Sequence, residues 1–140
     1  MAKKTARVRK NRVGVGSGLG ELEADIMNVV WRLGGASVKD VFEELYPTKR
    51  LAYTTIMTVM SRLANKGVLK QDRSNTAYMY TPKIDQQEMA NAMISQVIDK
   101  VLGGDVTPAL TFLLQRSEMD EAEIEKIKKA INKKKGLLKK

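Results

Sequence analysis

The first apolar pattern of the chain has helical spacing. Between residues 21 and 33 the large apolar side chains fall at offsets of 4, 7, 8 and 11 from the first of them, which places them on one face of a helix. They are Leu22, Ile26, Val29, Val30 and Leu33. Gly34 and Gly35 follow directly and predict the end of this helix.

Two further short helices are predicted before residue 68. Ser37 followed by Asp40 is a capping-box variant that starts the second helix, and Pro47 limits it. Its apolar side carries Val38, Val41, Phe42 and Leu45. The third helix runs from about residue 52 to 66, with Gly67 placed as its left-handed C-terminal cap.

A β-hairpin is predicted directly after the third helix. Residues 68–71 and 77–81 are strand-like, a polar stretch separates them, and Pro82 closes the second. In the second run Ala77 and Met79 alternate with Tyr78 and Tyr80, which is the period of a strand with two different faces.

Beyond Pro82 the pattern becomes helical again. The helix that follows has a wide apolar face built from two adjacent stripes. These stripes are Met89, Met93, Val97 and Val101, and Ala90, Ile94 and Ile98. Gly103 and Gly104 end it, a short helix restarts at residues 107–108, and Asp120 with Glu123 caps a last helix.

The third helix has two faces of different chemistry. One face is apolar and is expected to pack on the first two helices: Ile56, Val59, Met60 and Leu63. The other holds only hydroxyl, amide and cationic groups: Thr54, Thr55, Thr58, Ser61, Arg62, Asn65 and Lys66. Threonine is a poor helix former, so three of them in five positions suggest a task outside the helix, although such a face is also compatible with simple exposure to solvent.

Charge narrows the function. The 140 residues carry 25 Lys and Arg against 16 Asp and Glu, a formal net charge of +9, which indicates a polyanionic partner such as nucleic acid or an acidic membrane surface. Residues 1–13 hold six basic and no acidic side chains, residues 126–140 hold eight, and the chain between them is net acidic. Within that acidic part, residues 49–73 hold six basic side chains and only Asp72.

The absent residue types exclude much chemistry. With no Cys and no His there is no thiolate nucleophile, no imidazole base and no zinc site of the usual kind, so we expect no catalytic residues, no metal and no cofactor. No apolar stretch approaches the roughly 20 residues of a membrane span, and charged side chains interrupt the only candidate signal peptide. We therefore expect a cytoplasmic protein that is not an enzyme.

The third helix and its hairpin match the DNA major groove. Hydroxyls can bond base edges or phosphates, threonine methyls can pack on thymine methyls, and arginine can bind guanine or phosphate. A basic hairpin directly after such a helix, with Arg73 and Asn75 at its tip, is typical of the wing of a winged helix-turn-helix. A polar helix face without carboxylates that is followed by a basic hairpin indicates DNA binding more specifically than either feature alone.

The stretch LAYTTIMTVMSRLANKGVLKQDRSNTAYMYTP, at residues 51–82, resembles the DNA-binding domain of the penicillinase-repressor family, BlaI and MecI. The opening LGELEADIMNVVW, the GGD at residues 103–105 and DEAEIEKIKKAIN extend the resemblance over about residues 19–133. It implies a mainly α fold with a small hairpin. The expected organisation is a basic arm (1–18), a winged-helix domain (19–82), a helical dimerisation domain (83–135) and a basic tail (136–140).

The resemblance implies a cytoplasmic bacterial repressor that binds an inverted-repeat operator as a homodimer. The predicted residues of the recognition helix are Thr54, Thr55, Thr58, Ser61, Arg62 and Lys66. Those predicted for the DNA backbone and the wing are Lys49, Arg50, Tyr53, Lys70, Arg73 and Asn75. Tyr53 could equally pack against the first helix, and Met57 stands where staphylococcal members have a basic residue.

The C-terminal third is expected to form the dimer, because its short helices carry more large apolar residues than they could bury within one chain. The alternative is that these helices pack back on the winged-helix domain of the same chain. The predicted dimerisation residues are Met89, Met93, Val97, Val101, Leu110, Leu113, Ile124, Ile127 and Ile131. In family members of the antibiotic-resistance type, a membrane metalloprotease sensor leads to cleavage in this region. The matching bond is Thr111–Phe112, but Thr replaces the family's Asn, and Phe112 is also explained as a core residue of its helix.

Two alternatives differ in class from a proteolytically induced repressor. One is a winged-helix regulator gated by a small ligand in a methionine-lined C-terminal cavity. The other is an architectural protein that binds DNA without sequence preference through its basic ends. The copper-responsive branch of the family is excluded, because its cysteine cluster has no counterpart in a chain without Cys.

Overall fold

A computed structural model describes residues 18–139 of the chain. The chain divides into two compact units, the first ending at Val97 and the second beginning at Ile98. The predicted basic arm lies, apart from Gly18, outside the described residues. The first unit contains three helices and a small sheet, in the order α1 (Glu21–Leu33), β1 (Ala36–Ser37), α2 (Val38–Leu45), α3 (Tyr53–Asn65), β2 (Leu69–Asp72) and β3 (Met79–Pro82).

The first three helices form where their apolar faces predict them. Ser37 and Asp40 make the predicted capping box, because each side chain accepts a hydrogen bond from the backbone N–H of the other residue. Gly67 has a φ of 84°, as expected of a left-handed cap after α3. The predicted apolar face of α1 is wrong at one residue: Leu33 is 44% exposed, whereas Met27, which is outside the predicted face, is fully buried.

The sheet has a strand that the sequence does not reveal. β3 lies between β1 and β2 and pairs with both of them antiparallel, so the predicted hairpin becomes a three-stranded sheet. β1 is only two residues long, too short for an alternating pattern to be visible. The chain enters it through Gly35, where a Cβ would lie 3.1 Å from Cγ2 of Thr81 and φ is 156°.

One core holds the first unit together. It combines the buried faces of α1, α2 and α3 with Val68 and Leu69 of the hairpin entry and Tyr80 of β3. Helix α4 (Gln86–Lys100) begins in this unit, and its Met89 is only 2% exposed within the same core. Met93 packs against that core. The assignment of Met89 to a dimer surface is therefore wrong, because a side chain that this core already covers has no area left for a partner.

The second unit contains α5 (Thr107–Arg116) and α6 (Glu121–Leu138). Gly103 and Gly104 both have positive φ in the predicted break before α5, and Asp120 with Glu123 forms the predicted capping box of α6. Helix α6 continues to Leu138, so the predicted basic tail is helical over residues 136–138. No residue of α5 or α6 is fully buried within the chain.

Candidate nucleic-acid interface

Helix α3 presents the two faces that its sequence predicts. Ile56, Val59, Met60 and Leu63 are buried in the core of the first unit. On the other side Thr54, Thr55, Thr58, Arg62 and Asn65 are exposed and Ser61 is half-buried. Since no acidic side chain lies in the first turn or elsewhere on α3, this surface offers hydroxyl, amide and guanidinium groups without a repulsive charge.

The start of α3 is supported by an aromatic cluster. The Tyr53 ring lies 5.6 Å from the Phe42 ring of α2, and Phe42 lies 5.4 Å from Tyr46. Tyr53 thus packs on the second helix, and its contact with the DNA backbone stays a prediction. The guanidinium of Arg50 sits 5.0 Å above the Tyr46 ring. Tyr46 was not predicted as a site residue, because only the folded chain brings it under Arg50.

The wing holds its cation at the tip. Arg73 Nε donates a 2.8 Å hydrogen bond to Oε1 of Gln71, and its guanidinium lies 5.3 Å from the centre of the Tyr78 ring. Gln71 in turn donates to the Tyr80 hydroxyl at 2.7 Å. Lys70, Arg73 and Asn75 are exposed. The contacts of Arg73 leave its terminal guanidinium N–H groups available to an acceptor such as phosphate.

The turn of the wing is fixed by Asp72. Its Oδ1 accepts a hydrogen bond from the Ser74 N–H at 2.9 Å. Hydrogen bonds from the Ser74 side chain and backbone lower the pKa of Asp72 below its ordinary value. Asp72 therefore takes up a proton only at a lower pH than an ordinary aspartate does.

Two lysines that are predicted to contact DNA are ion-paired with α1. Lys66 Nζ lies 3.1 Å from Glu23 Oε2, and Lys49 Nζ lies 3.3 Å from both Glu21 Oε2 and Asp25 Oδ2. The hydrogen bond to Glu21 and the nearby charge of Asp25 raise the pKa of Lys49 above its ordinary value. Their role in DNA binding stays a prediction.

The remaining predicted residues lie on α4, directly after it at Val101, and on α5 and α6. Val97, Val101, Leu110, Leu113, Ile124 and Ile131 are exposed, and Ile127 is half-buried. Thr111 and Phe112 lie in the middle of α5, and Phe112 is 59% exposed. Phe112 is therefore not buried within one chain, and both its role as a core residue and cleavage at this bond stay predictions.

Neither a metal cluster nor a membrane-spanning helix occurs in the described residues. No three or more carboxylates among residues 18–139 are grouped so that they could hold a metal ion. No helix in the same range has the length and apolarity needed to span a membrane.

The fold and the surface together define a class. A three-helix unit whose third helix exposes a carboxylate-free polar face, followed by a basic hairpin that closes a small sheet, is a winged helix-turn-helix domain of the DNA-binding type. The predicted fold class is confirmed.

The chain belongs to the penicillinase repressor family, whose model matches residues 19–133. It is 36% identical over 107 residues to the transcriptional regulator BlaI of Mycobacterium tuberculosis, covering 75% of this chain and 78% of that protein. It is 26% identical over 110 residues to the penicillinase repressor of Staphylococcus aureus, covering 79% of this chain and 87% of that protein. The predicted family resemblance is confirmed.

Solved structures of similar chains include the DNA-binding domain of the repressor BlaI, with 30% identity and a TM-score of 0.46. A second is monomeric Bacillus licheniformis BlaI in complex with the blaP half-operator, with 30% identity and a TM-score of 0.45. Each match covers 50% of this chain and 85% of the other.

Proposed function

We propose that this chain is a sequence-specific DNA-binding transcriptional repressor that acts as a homodimer on an inverted-repeat operator. The observation that carries the proposal is the exposed, carboxylate-free face of α3 beside a wing with Arg73 at its tip. Membership of the penicillinase repressor family supports it, as do relatives named as transcriptional regulators.

The exposed groups of α3 suit the major groove. Thr54, Thr55 and Thr58 contact base edges, and the Arg62 guanidinium binds a base edge or a phosphate near the other end of the helix. Arg50 and Arg73 bind the phosphates that flank the groove. An operator that matches this arrangement has two half-sites related by a two-fold axis, with centres a whole number of helical turns apart.

The homodimer is supported by the second unit. Its helices expose large apolar side chains that a monomer would leave in contact with water, and exposed apolar surface of this kind is typical of an interface. The residues proposed for the interface are Met93, Val97, Val101, Leu110, Leu113, Ile124, Ile127 and Ile131.

Induction by cleavage is part of the same proposal. The Thr111–Phe112 bond lies within α5, so a protease could act on it only after this helix opens locally. Co-expression with a membrane metalloprotease sensor encoded beside the gene should then yield two fragments that separate at this bond. An intact chain under inducing conditions would contradict induced cleavage while leaving DNA binding untouched.

The alternative of a ligand-gated regulator has little support. Met89 is buried in the first core and Met93 packs against it, so these two methionines do not line a cavity in the C-terminal helices. Competition with random duplex distinguishes the proposed function from the alternative of DNA binding without sequence preference.

Selection from a library of randomised DNA duplexes tests the function. We expect the recovered sequences to contain an inverted repeat. Arg62→Ala and Thr58→Ala should each lower the affinity for the recovered site about tenfold in a mobility-shift titration, because each removes a groove contact.

Arg32→Ala is the matched control for this experiment. It removes one arginine from the same unit, but Arg32 bonds Glu44 at 2.7 Å on another face. Recovery of no common sequence, or equal affinities for the Arg62→Ala variant and the unchanged chain, would refute the proposed function.

A further inference from the structure

The first turns of α1 carry three carboxylates that face the basic segment 49–73. We call these carboxylates the acidic turn; they are Glu21, Glu23 and Asp25. They form ion pairs with two lysines of the basic segment, Lys49 and Lys66. Among residues 18–139 these are the ion pairs that link α1 to the ends of α3 and its preceding loop. Two of the six basic groups in the segment are thus neutralised inside the protein.

The Glu23–Lys66 pair is well fixed. Lys66 Nζ donates to both carboxylate oxygens, at 3.1 and 3.3 Å, and the two side chains are only 24% and 13% exposed for Lys66 and Glu23. Glu23 Oε1 also accepts the Gly20 N–H at 2.9 Å, so its orientation is set by the start of α1 as well. Such a partly buried pair is screened less by salt than an exposed one.

The electrostatics of Glu23 agree with this geometry. Burial acts to raise its pKa, but the Gly20 hydrogen bond and the ion pair with Lys66 outweigh burial, and the pKa lies below its ordinary value. The carboxylate thus stays charged, and the pair stays intact, throughout the neutral range.

Lys49 is paired with two carboxylates that are more exposed than Glu23, and Glu21 is 86% exposed. Its Nζ lies between Glu21 and Asp25, at 3.3 Å from an oxygen of each. Asp25 Oδ2 is buried and has no hydrogen-bond partner with good geometry in the described residues, so the charge of Lys49 is what compensates it. Moving Lys49 to a DNA phosphate would leave this oxygen uncompensated.

The other four basic groups of the segment are arranged differently. Arg50 and Arg73 lie over uncharged tyrosine rings. Arg62 and Lys70 act at longer range on Glu23 and Asp72, and none of the four forms an ion pair within the described residues. The segment therefore contains two populations of cations, one ion-paired with α1 and one without an ion pair.

We infer that the acidic turn of α1 is a charge mask that keeps Lys49 and Lys66 off the DNA phosphates and so lowers sequence-independent DNA affinity. The physical reason is that each phosphate contact adds affinity for any duplex, whereas the hydroxyl groups of α3 distinguish sequences. This inference rests on the proposed function, and it makes Glu23 a positioning residue for Lys66.

Removal of the Glu23 charge is the direct test. Glu23→Gln keeps an oxygen that can accept the Gly20 N–H but no longer neutralises Lys66. On a fluorescein-labelled random-sequence duplex, the plot of log affinity against log salt should steepen by about 0.9 for each chain bound. This corresponds to an additional loss of about 3.5-fold between 50 and 200 mM salt.

The control separates release of Lys66 from a change of net charge. Glu43→Gln removes the same charge from the same unit, at an exposed position of α2 with no ion pair in the described residues, and should leave the slope unchanged. The double variant Glu23→Gln with Lys66→Met should return to the original slope, because the released cation is gone.

Lys66→Met in the otherwise unchanged chain provides a second test if Glu23→Gln lowers the thermal stability too far. The mask requires that this variant bind random duplex with the original slope. A slope reduced by about 0.9 would mean that Lys66 already contacts phosphate and would overturn the inference. A stable Glu23→Gln variant with an unchanged slope would also overturn it. These slopes use random DNA, so they are independent of whether the selection recovers an operator.

Discussion

At the scale of single residues, the tip of the wing shows how a cationic side chain can be pre-organised to bind a phosphate. Arg73 is held from one side by the Tyr78 ring and from another by the Gln71 side chain, yet its charge is not neutralised. A side chain held in this way loses less conformational freedom when it binds. The ion pair of Lys66 has the opposite effect, because a carboxylate competes with phosphate for the same cation.

The Tyr78→Leu substitution tests whether the Tyr78 ring pre-organises Arg73 for binding. It removes the ring under Arg73 without changing any charge, and the affinity for DNA should fall about two- to fivefold, in line with the 0.5–1 kcal/mol of an exposed cation–π contact. Titrations at several salt concentrations should give an unchanged slope. Arg73→Ala, by comparison, should lose affinity and also reduce the slope by about 0.9 per chain. Equal affinities for Tyr78→Leu and the unchanged chain would mean that the ring does not prepare Arg73.

At the scale of elements, short segments depend on their ends. Helix α2 has only eight residues, and its capping box also forms the end of β1, because Ser37 belongs to both. An eight-residue helix is marginal without tertiary contacts, so its start must be fixed by the side chains around it. The cap therefore supports both the helix-turn-helix and strand β1.

Ser37→Ala removes one half of that capping box. The side chain is buried and accepts the Asp40 N–H, so we expect the free energy of unfolding to fall by about 1 kcal/mol in chemical denaturation followed by circular dichroism. Ser95→Ala, at an exposed position of α4, is the control and should change it by less than about 0.5 kcal/mol. Equal effects of the two substitutions would show that the cap contributes nothing.

At the scale of the whole molecule, the two units differ in how they treat apolar residues. The first unit buries its apolar faces in one core, and the second exposes most of its large apolar side chains. Because the exposure of a large apolar surface to water is unfavourable in free energy, a partner copy is the simplest cover for the second unit.

Leu113→Glu should convert the dimer to a monomer. Sedimentation velocity should show half the mass at micromolar concentration, and affinity for the selected site should fall at least about tenfold, since each monomer then binds one half-site alone. Leu33→Glu is the matched control: Leu33 is 44% exposed and Leu113 is 42% exposed, but Leu33 lies in the first unit. A dimer that persists in Leu113→Glu, or a monomeric unchanged chain, would contradict the proposed interface.

Much of the first unit could be predicted because its signals are local. The apolar spacing of α1 and α3, the capping box of α2 and the left-handed Gly67 each depend on neighbouring residues, and all of them are found in the structure. The errors concern long-range contacts. The apolar stripe that contains Met89 can face the core of its own unit or a partner, and spacing along the chain does not distinguish the two. Leu33 lies beyond the end of the buried face of α1.

The sequence by itself determined the helices, the hairpin, the composition of the exposed face of α3 and the family, because spacing, capping and residue type act over a few positions. Only the tertiary structure decided which cations of the basic segment are neutralised. The acidic turn is 24 or more residues away from Lys49 and Lys66 along the chain, and no local pattern indicates that folding brings these charges within 3.3 Å of one another. Coulomb interactions depend on distance in space, so the charge that DNA meets is a property of the folded unit.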